Sequence, residues 1–201
     1  MTAKSIDQAR KMSNAERKTL LDKIEQIASD YEVTYFGCSQ AVLNALETYL
    51  DMGDGGALKS ASAFAGGVAA MRETCGALLG AVMAIGLAYG RAKIVDDKIG
   101  PENIGFLEAR LRSAKLCEEY KKKFGSFCCK DVMKAVGRKD FPRFDTLEAF
   151  EDHAKCANVT GFTARAAAEV ILEPSEAYAD RIHELLADFA KIREEQKKQQ
   201  G

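Results

Sequence analysis

Six cysteines carry most of the chemical potential of this 201-residue chain: Cys38, Cys75, Cys117, Cys128, Cys129 and Cys156. A reducing compartment disfavours structural disulfides, so such thiols serve as metal ligands, as redox or nucleophilic groups, or as buried packing. The chain contains no Cys-x-x-Cys and no Cys-x-x-Cys-His. That removes the thioredoxin-type, attached-haem and paired-knuckle zinc signatures. No glycine-rich phosphate loop and no Ser/His/Asp constellation stands out either. The chemistry therefore rests on the thiols.

The elements that must position them read as helices. Only three prolines, no tryptophan and little apolar/polar alternation leave no material for a sheet, while apolar residues recur at helical spacing along most of the chain. The expected class is all-α, a single-domain helical bundle of about seven to eight helices around a glycine-rich central helix. Ser13 and Glu16 form a capping box ahead of Leu20, Leu21, Ile24, Ile27 and Ala28, a first amphipathic helix ending near Asp30. Gly37 precedes CSQAVLNALETYL, which the DMGDGG turn stops. A short helical piece ALKSASAF follows, broken by Gly66 and Gly67. DDKIGPEN reads as a loop, with Pro101 in the first turn of a long helix to Phe124. Ser126 is the expected N-cap of FCCKDVMKAV, a loop carries Pro142, and TLEAFEDHA leads to Cys156 and the helix ANVTGFTARAAAEVIL. A last amphipathic helix after Ser175 trails into EEQKKQQG, an expected frayed tail. The organisation predicted is an N-terminal helical segment (1–35), a four-cysteine domain (36–172), and a C-terminal amphipathic helix with its tail (173–201).

The stretch TCGALLGAVMAIGLAYGR, 74–91, is the least charged. From Cys75 to Gly90 it falls short of the roughly 20 apolar residues of a bilayer crossing, and charges close both ends, so it reads as a buried helix rather than a membrane span. At 100° per residue, Gly76, Gly80, Gly86 and Gly90 share one arc of about 120°. That bare face would admit another helix or a compact ligand, while Leu78, Val82, Ile85 and Tyr89 fill the opposite side.

Composition narrows the partners. With 47% apolar and 29% charged residues the chain is an ordinary soluble globule, and 29 Lys plus Arg against 30 Asp plus Glu leave no electrostatic footprint for nucleic acid or an anionic membrane. The opening residues MTAKSIDQARKMSNAERK lack an apolar core, so no secretory signal is read there and the expected location is cytoplasmic. The exposed stripe of the terminal helices could serve a homodimer.

On this map Cys38, Cys75 and the Cys128/Cys129 pair fall in first turns of helices, behind Gly37, Thr74 and Ser126, and Cys156 lies just before another helix start. Unpaired N–H groups and the positive dipole end there stabilise a thiolate, an effect expected to lower the pKa and ready the sulfur as ligand or nucleophile. Converging helix ends would suit a four-thiolate two-iron cluster, whose oxidised form carries a net charge of about −2. Cys117, between Ala114 and Tyr120 on a helix face, reads as packing. Cys128 and Cys129 point about 100° apart, so one of them reads as packing too. His153 reads as a solvated histidine in preference to a nitrogen ligand or supporting donor, and His183 has less claim still.

GCSQAVLNAL (37–46), FAGGVAAMRETCGALLGAVMAIGLAYGR (64–91), FGSFCCKDVM (124–133) and Cys156 resemble the C_GCAxxG_C_C family of redox-active proteins, over roughly residues 36–172. The most specific part is Cys75-Gly76-Ala77-Leu78-Leu79-Gly80, which fits Cys-Gly-Ala-x-x-Gly, and Gly66-Gly67 also fits. The resemblance implies redox activity and a set of four cysteines, Cys38, Cys75, Cys129 and Cys156, and the helix-start positions above mark these four as the expected metal ligands. Cys129 is preferred over Cys128 because the family shows Cys-Arg-Glu-Leu where this chain reads Cys-Lys-Asp-Val. Gly66, Gly67, Gly76 and Gly80 are the matching candidates to line a cofactor. The expected function is electron transfer through a cysteine-ligated iron–sulfur cluster, [2Fe–2S] first, with a redox protein as partner, so a carrier or sensor rather than a catalyst. The alternatives are a thiol–disulfide enzyme or sensor using the same cysteines, an interaction module built on a structural zinc held by four cysteines, and a helical protein whose thiols do nothing.

Overall fold

A computed structural model describes residues 3–53, 56–94, 101–139 and 146–200. Within them lie α1 (Ile6–Arg10), α2 (Asn14–Tyr35), α3 (Cys38–Leu50), α4 (Gly56–Ala61), α5 (Gly76–Tyr89), α6 (Pro101–Phe124), α7 (Cys129–Ala135), α8 (Leu147–His153), α9 (Ala157–Ile171) and α10 (Glu176–Gln200). Two 3-10 turns, Ser62–Phe64 and Ala154–Cys156, complete the list. The protein is all-α, and among the described residues the only β-type pairing is an isolated antiparallel bridge between Thr74 and Cys128. The loop expected around Pro142 and most of the one before Pro101 lie outside the described residues.

Local chemistry sets the helix starts. Ser5 with Gln8 and Ser13 with Glu16 each close a reciprocal capping box, satisfying N–H groups that a helix start leaves bare. Leu20, Leu21, Ile24 and Ala28 form the buried face of α2. The helix then runs past the expected end at Asp30 as far as Tyr35, because its buried face continues onto a charged residue, Glu32, that hydropathy alone rejects. Phe36 (φ 60°) and Gly37 (φ 86°) are both left-handed, and this two-residue reversal turns the chain into α3 with Cys38 as its first residue.

One core joins Ala9 of α1 and Leu20, Ile24 and Ala28 of α2 to Leu43, Leu46, Ile85, Leu116 and Ile171. At its centre α5 packs against α3, α6 and α9, while α2 lies against α3 and α9. The glycine face of α5 is split. A Cβ on Gly80 would lie 2.2 Å from the Ser39 carbonyl oxygen, so α3 and α5 meet backbone to backbone there, whereas Gly86 faces open space. The opposite face is core through Leu78 and Ile85, as its spacing predicts.

The N-terminal half of α10 closes a smaller apolar cluster through Tyr178, Ile182 and Leu186 on Leu107 of α6, and the helix continues through Gln200 where a frayed tail was expected. Between these parts lies Arg112, wholly buried. Its guanidinium is sandwiched 3.9 Å from the Tyr89 ring centre and 4.3 Å from that of Tyr178, and it donates to Glu108 and to the carbonyls of Val170 and Glu173. Among the described residues no helix is long and apolar enough to cross a membrane.

Candidate functional site: four cysteines around one cavity

Four helix starts supply the cysteines. Cys38 opens α3, Cys75 is the N-cap of α5, Cys129 opens α7 behind Cys128 as N-cap, and Cys156 is the N-cap of α9. All four sulfur-bearing residues line a single cavity holding about 420 Å³ of empty space, counting the part open to solvent. Its walls are otherwise mostly apolar, with Ala65, Ala77, Val132, Met133 and Val159, and its polar groups are Glu32, Arg138, His153 and Thr160.

The main chain fixes two of these residues side by side. The Cys75 N–H donates to the Phe127 carbonyl at 2.8 Å and the Cys129 N–H to the Glu73 carbonyl, a two-bond clasp at the Thr74–Cys128 bridge. Ser126, expected as the cap of α7, instead accepts from the Cys128 N–H and donates to Asp131. Cys128 turns away from the cavity and donates its thiol to the Arg72 carbonyl at 3.2 Å. Cys117 packs against the core on α6, outside the cavity.

A strained turn closes one side. Gly66, Gly67, Val68, Ala69 and Ala70 are consecutive left-handed residues, and Arg72 is a sixth. Side chains in that conformation cost about 1–2 kcal/mol each. Here they are held by backbone bonds from Ala69 to Ala63, Ala70 to Ala65, Arg72 to Gly66 and Glu73 to Gly67. Strain of this kind concentrates at functional sites.

The glycines expected to line a cofactor divide accordingly. Gly66 lines the cavity and its N–H is directed at the Cys38 sulfur. Gly67 and Gly76 stand behind the cysteines: a Cβ on Gly67 would lie 2.5 Å from Cβ of Cys129, and one on Gly76 would lie 2.6 Å from Sγ of Cys38. Gly80 belongs to the α3–α5 contact and does not reach the cavity.

The electrostatics reverse one expectation. Helix-start N–H groups do face a thiol, those of Ala77 and Leu78 at Cys75, with the Tyr120 hydroxyl beside it, yet burial outweighs them and raises the Cys75 thiol. Burial, reinforced by the Glu32 charge, carries Cys38 well above its ordinary range. Burial pushes Cys129 up to about 12 and Cys156 up to about 11, the latter although Arg138 donates to its sulfur at 3.3 Å. A first-turn dipole is worth about 0.3–1 kcal/mol, whereas full desolvation moves a pKa by up to about 3–5 units. The four thiols are therefore neutral at pH 7 in the metal-free protein.

His153, read from sequence as solvated, borders the cavity with its ring edge-on to Phe36 and its Nε2 2.7 Å from Glu32 Oε1. Glu32 was not among the sequence candidates. Its signal was register: Ile24, Ala28 and Glu32 recur every four residues on the buried face of α2. Among the described residues no three His, Cys, Asp or Glu side chains are arranged to hold a single metal ion. A tetrahedral ion with bonds of about 2.3 Å to sulfur would need its sulfurs about 3.8 Å apart.

Comparisons with curated proteins and with solved structures find no match to this chain. The family described as "Putative redox-active protein (C_GCAxxG_C_C)" matches residues 36–170, a span that contains all four cavity cysteines. With that match over most of its length, the chain belongs to the C_GCAxxG_C_C family of redox-active proteins.

Proposed function

We propose that this protein is an electron carrier whose cavity holds a cysteine-ligated iron–sulfur cluster of the two-iron type on Cys38, Cys75, Cys129 and Cys156. The single observation that carries the reading is convergence: four cysteines separated by up to 118 positions line one cavity, and the two others do not. The donor set fits the group. Four soft sulfurs in an apolar surround are the ligands such clusters take.

The chain's own groups have assigned tasks in this reading. Ligation requires loss of the thiol protons, which the buried thiols hold firmly, so loading releases protons and is favoured by higher pH. The N–H groups of Gly66, Ala77 and Leu78 and the Arg138 guanidinium then face sulfur that has become negative. The bound cluster supplies a one-electron couple, taking an electron from one redox protein and giving it to another. We place this activity in the cytoplasm.

Anaerobic purification followed by visible absorbance and by iron, sulfide and zinc analysis tests the reading. A brown protein with equal iron and acid-labile sulfide, about two of each per chain, supports it. Stoichiometric zinc without colour would assign a structural zinc site on the four cysteines instead, and a metal-free protein whose thiols cycle reversibly through disulfides would assign thiol chemistry.

A further inference from the structure

Two short antiparallel segments, 72–75 and 127–130, form one wall of the cysteine cavity. They are joined by the Thr74–Cys128 bridge and by N–H bonds from Cys75 to Phe127, from Cys129 to Glu73 and from Lys130 to Arg72. Cys75 and Cys129 line the cavity from this wall. On the solvent side, the wall and the left-handed turn that leads into it expose Val68 (38%), Met71 (70%) and Phe127 (36%). Val68 follows two residues after Gly66, whose N–H faces the Cys38 sulfur, so exposed apolar surface begins within about 7 Å of that amide along the chain. Large apolar side chains left in water beside a site of this kind mark a contact surface.

Charge narrows what makes the contact. Between 121 and 139 the chain carries seven Lys or Arg against one acid, Asp131, although over its whole length acids outnumber bases 30 to 29. Helix α7 turns Cys129, Val132 and Met133 inward and Lys130 and Lys134 outward, one turn apart. Lys121 stands 5.7 Å from the centre of the Phe127 ring. Lys122, Lys139 and Arg138 are paired with Glu119, Glu148 and Asp152, and Asp131 is bonded to Ser126. An apolar centre is thus bordered by Lys121, Lys130 and Lys134, with Glu73 the one acid of the two segments. That pattern is complementary to an acidic protein surface with an apolar middle.

We infer that this face is the docking surface for an acidic one-electron carrier protein, seated on Val68, Met71 and Phe127 and steered by Lys121, Lys130 and Lys134. The inference rests on the iron–sulfur reading above and adds the partner's chemistry and its place of contact. The carrier is oxidised by one electron and the centre reduced by one, with no bond formed or broken. Electron transfer weakens steeply with distance, and this wall brings a docked protein against the segments that hold Cys75 and Cys129.

Stopped-flow mixing without oxygen tests this on the whole protein, with a reduced flavodoxin as the acidic carrier and photoreduced deazaflavin as a small reductant that needs no docking. The variants are Met71→Asp, the double replacement Lys130→Glu with Lys134→Glu, and Lys23→Glu at an exposed position of α2. Reduction by flavodoxin should slow about tenfold or more in Met71→Asp, in the double variant and in wild type at high salt, while Lys23→Glu keeps the wild-type rate. Deazaflavin should reduce all of them at one rate, which shows the centre to be intact. Flavodoxin rates unchanged in Met71→Asp and the double variant, or a wild type that deazaflavin reduces and flavodoxin does not, would overturn the docking surface while leaving the cluster in place. A wild-type dimer in ultracentrifugation that Met71→Asp dissociates would do the same, since a second copy would then cover the face. The salt dependence of the wild type decides if a variant does not fold, and a rate indifferent to salt would overturn the surface. A wild type without iron would overturn the cluster reading and this inference together.

Discussion

Gly76 sits so close behind Cys38 that a methyl group on its Cα would lie 2.6 Å from the cysteine sulfur and 2.6 Å from the Phe64 carbonyl oxygen. Neither neighbour is a flexible side-chain end, so Gly76→Ala must displace α3 from α5 or push the thiol out of the cavity. Overpacking of this kind costs about 1–3 kcal/mol. Gly86, on the same helix, meets nothing within 4 Å, and Gly86→Ala should stabilise by about 0.5–1 kcal/mol. Urea unfolding of the two variants checks the contrast, and only Gly76→Ala should also lower the metal content.

The cysteines should sort by location. Cys75→Ala removes a cavity sulfur whose residue is clasped to α7, and retained iron should fall to background. Cys117→Ala and Cys128→Ala leave the cavity lining untouched and should retain iron at the wild-type level. Iron per folded chain, with folding followed by circular dichroism, reads this directly.

Metal-free protein should lose stability in alkali. The buried thiols of Cys129 and Cys156 titrate near 12 and 11 in the folded state against an ordinary value of 9.0, so folding holds their protons. The stabilisation is complete below pH 9 and disappears as pH rises through 11 to 12, where the unfolded chain has already ionised. The urea midpoint should therefore drop between pH 8.5 and about 11, and Cys129→Ala with Cys156→Ala should flatten that drop relative to wild type.

Arg112 predicts a stability defect separable from the site. Replacing it with Ala strands Glu108 and two carbonyls in the interior and removes the layer between Tyr89 and Tyr178. The cost should be about 3–5 kcal/mol. Arg112→Lys should rescue little, because an ammonium cannot stack between two rings while donating in three directions. Thermal unfolding measures both, and iron per folded chain should stay at the wild-type level.

Much of this architecture was legible before any coordinates. Gly37, Thr74 and Ser126 marked helix starts, the last of them two residues ahead of the true cap at Cys128, and those starts are where the cavity sulfurs stand. The class followed from periodicity and the scarcity of prolines. Glu32 escaped because a carboxylate counts as solvent-facing in any hydropathy reading, although its register with Ile24 and Ala28 put it inside. The thiol acidity was misread because a dipole is visible from position in a helix whereas depth of burial is not. The left-handed run at residues 66–70 was hidden for a related reason: Val68, Ala69 and Ala70 have no local preference for it and are held there by bonds to residues 63–65.

Diffraction recorded on both sides of the iron absorption edge, from crystals grown without oxygen, probes the cavity most directly. The account predicts two adjacent anomalous peaks enclosed by Sγ of Cys38, Cys75, Cys129 and Cys156. Four unligated sulfurs around ordinary solvent density with no anomalous peak, in crystals of protein supplied with iron and sulfide, would contradict it.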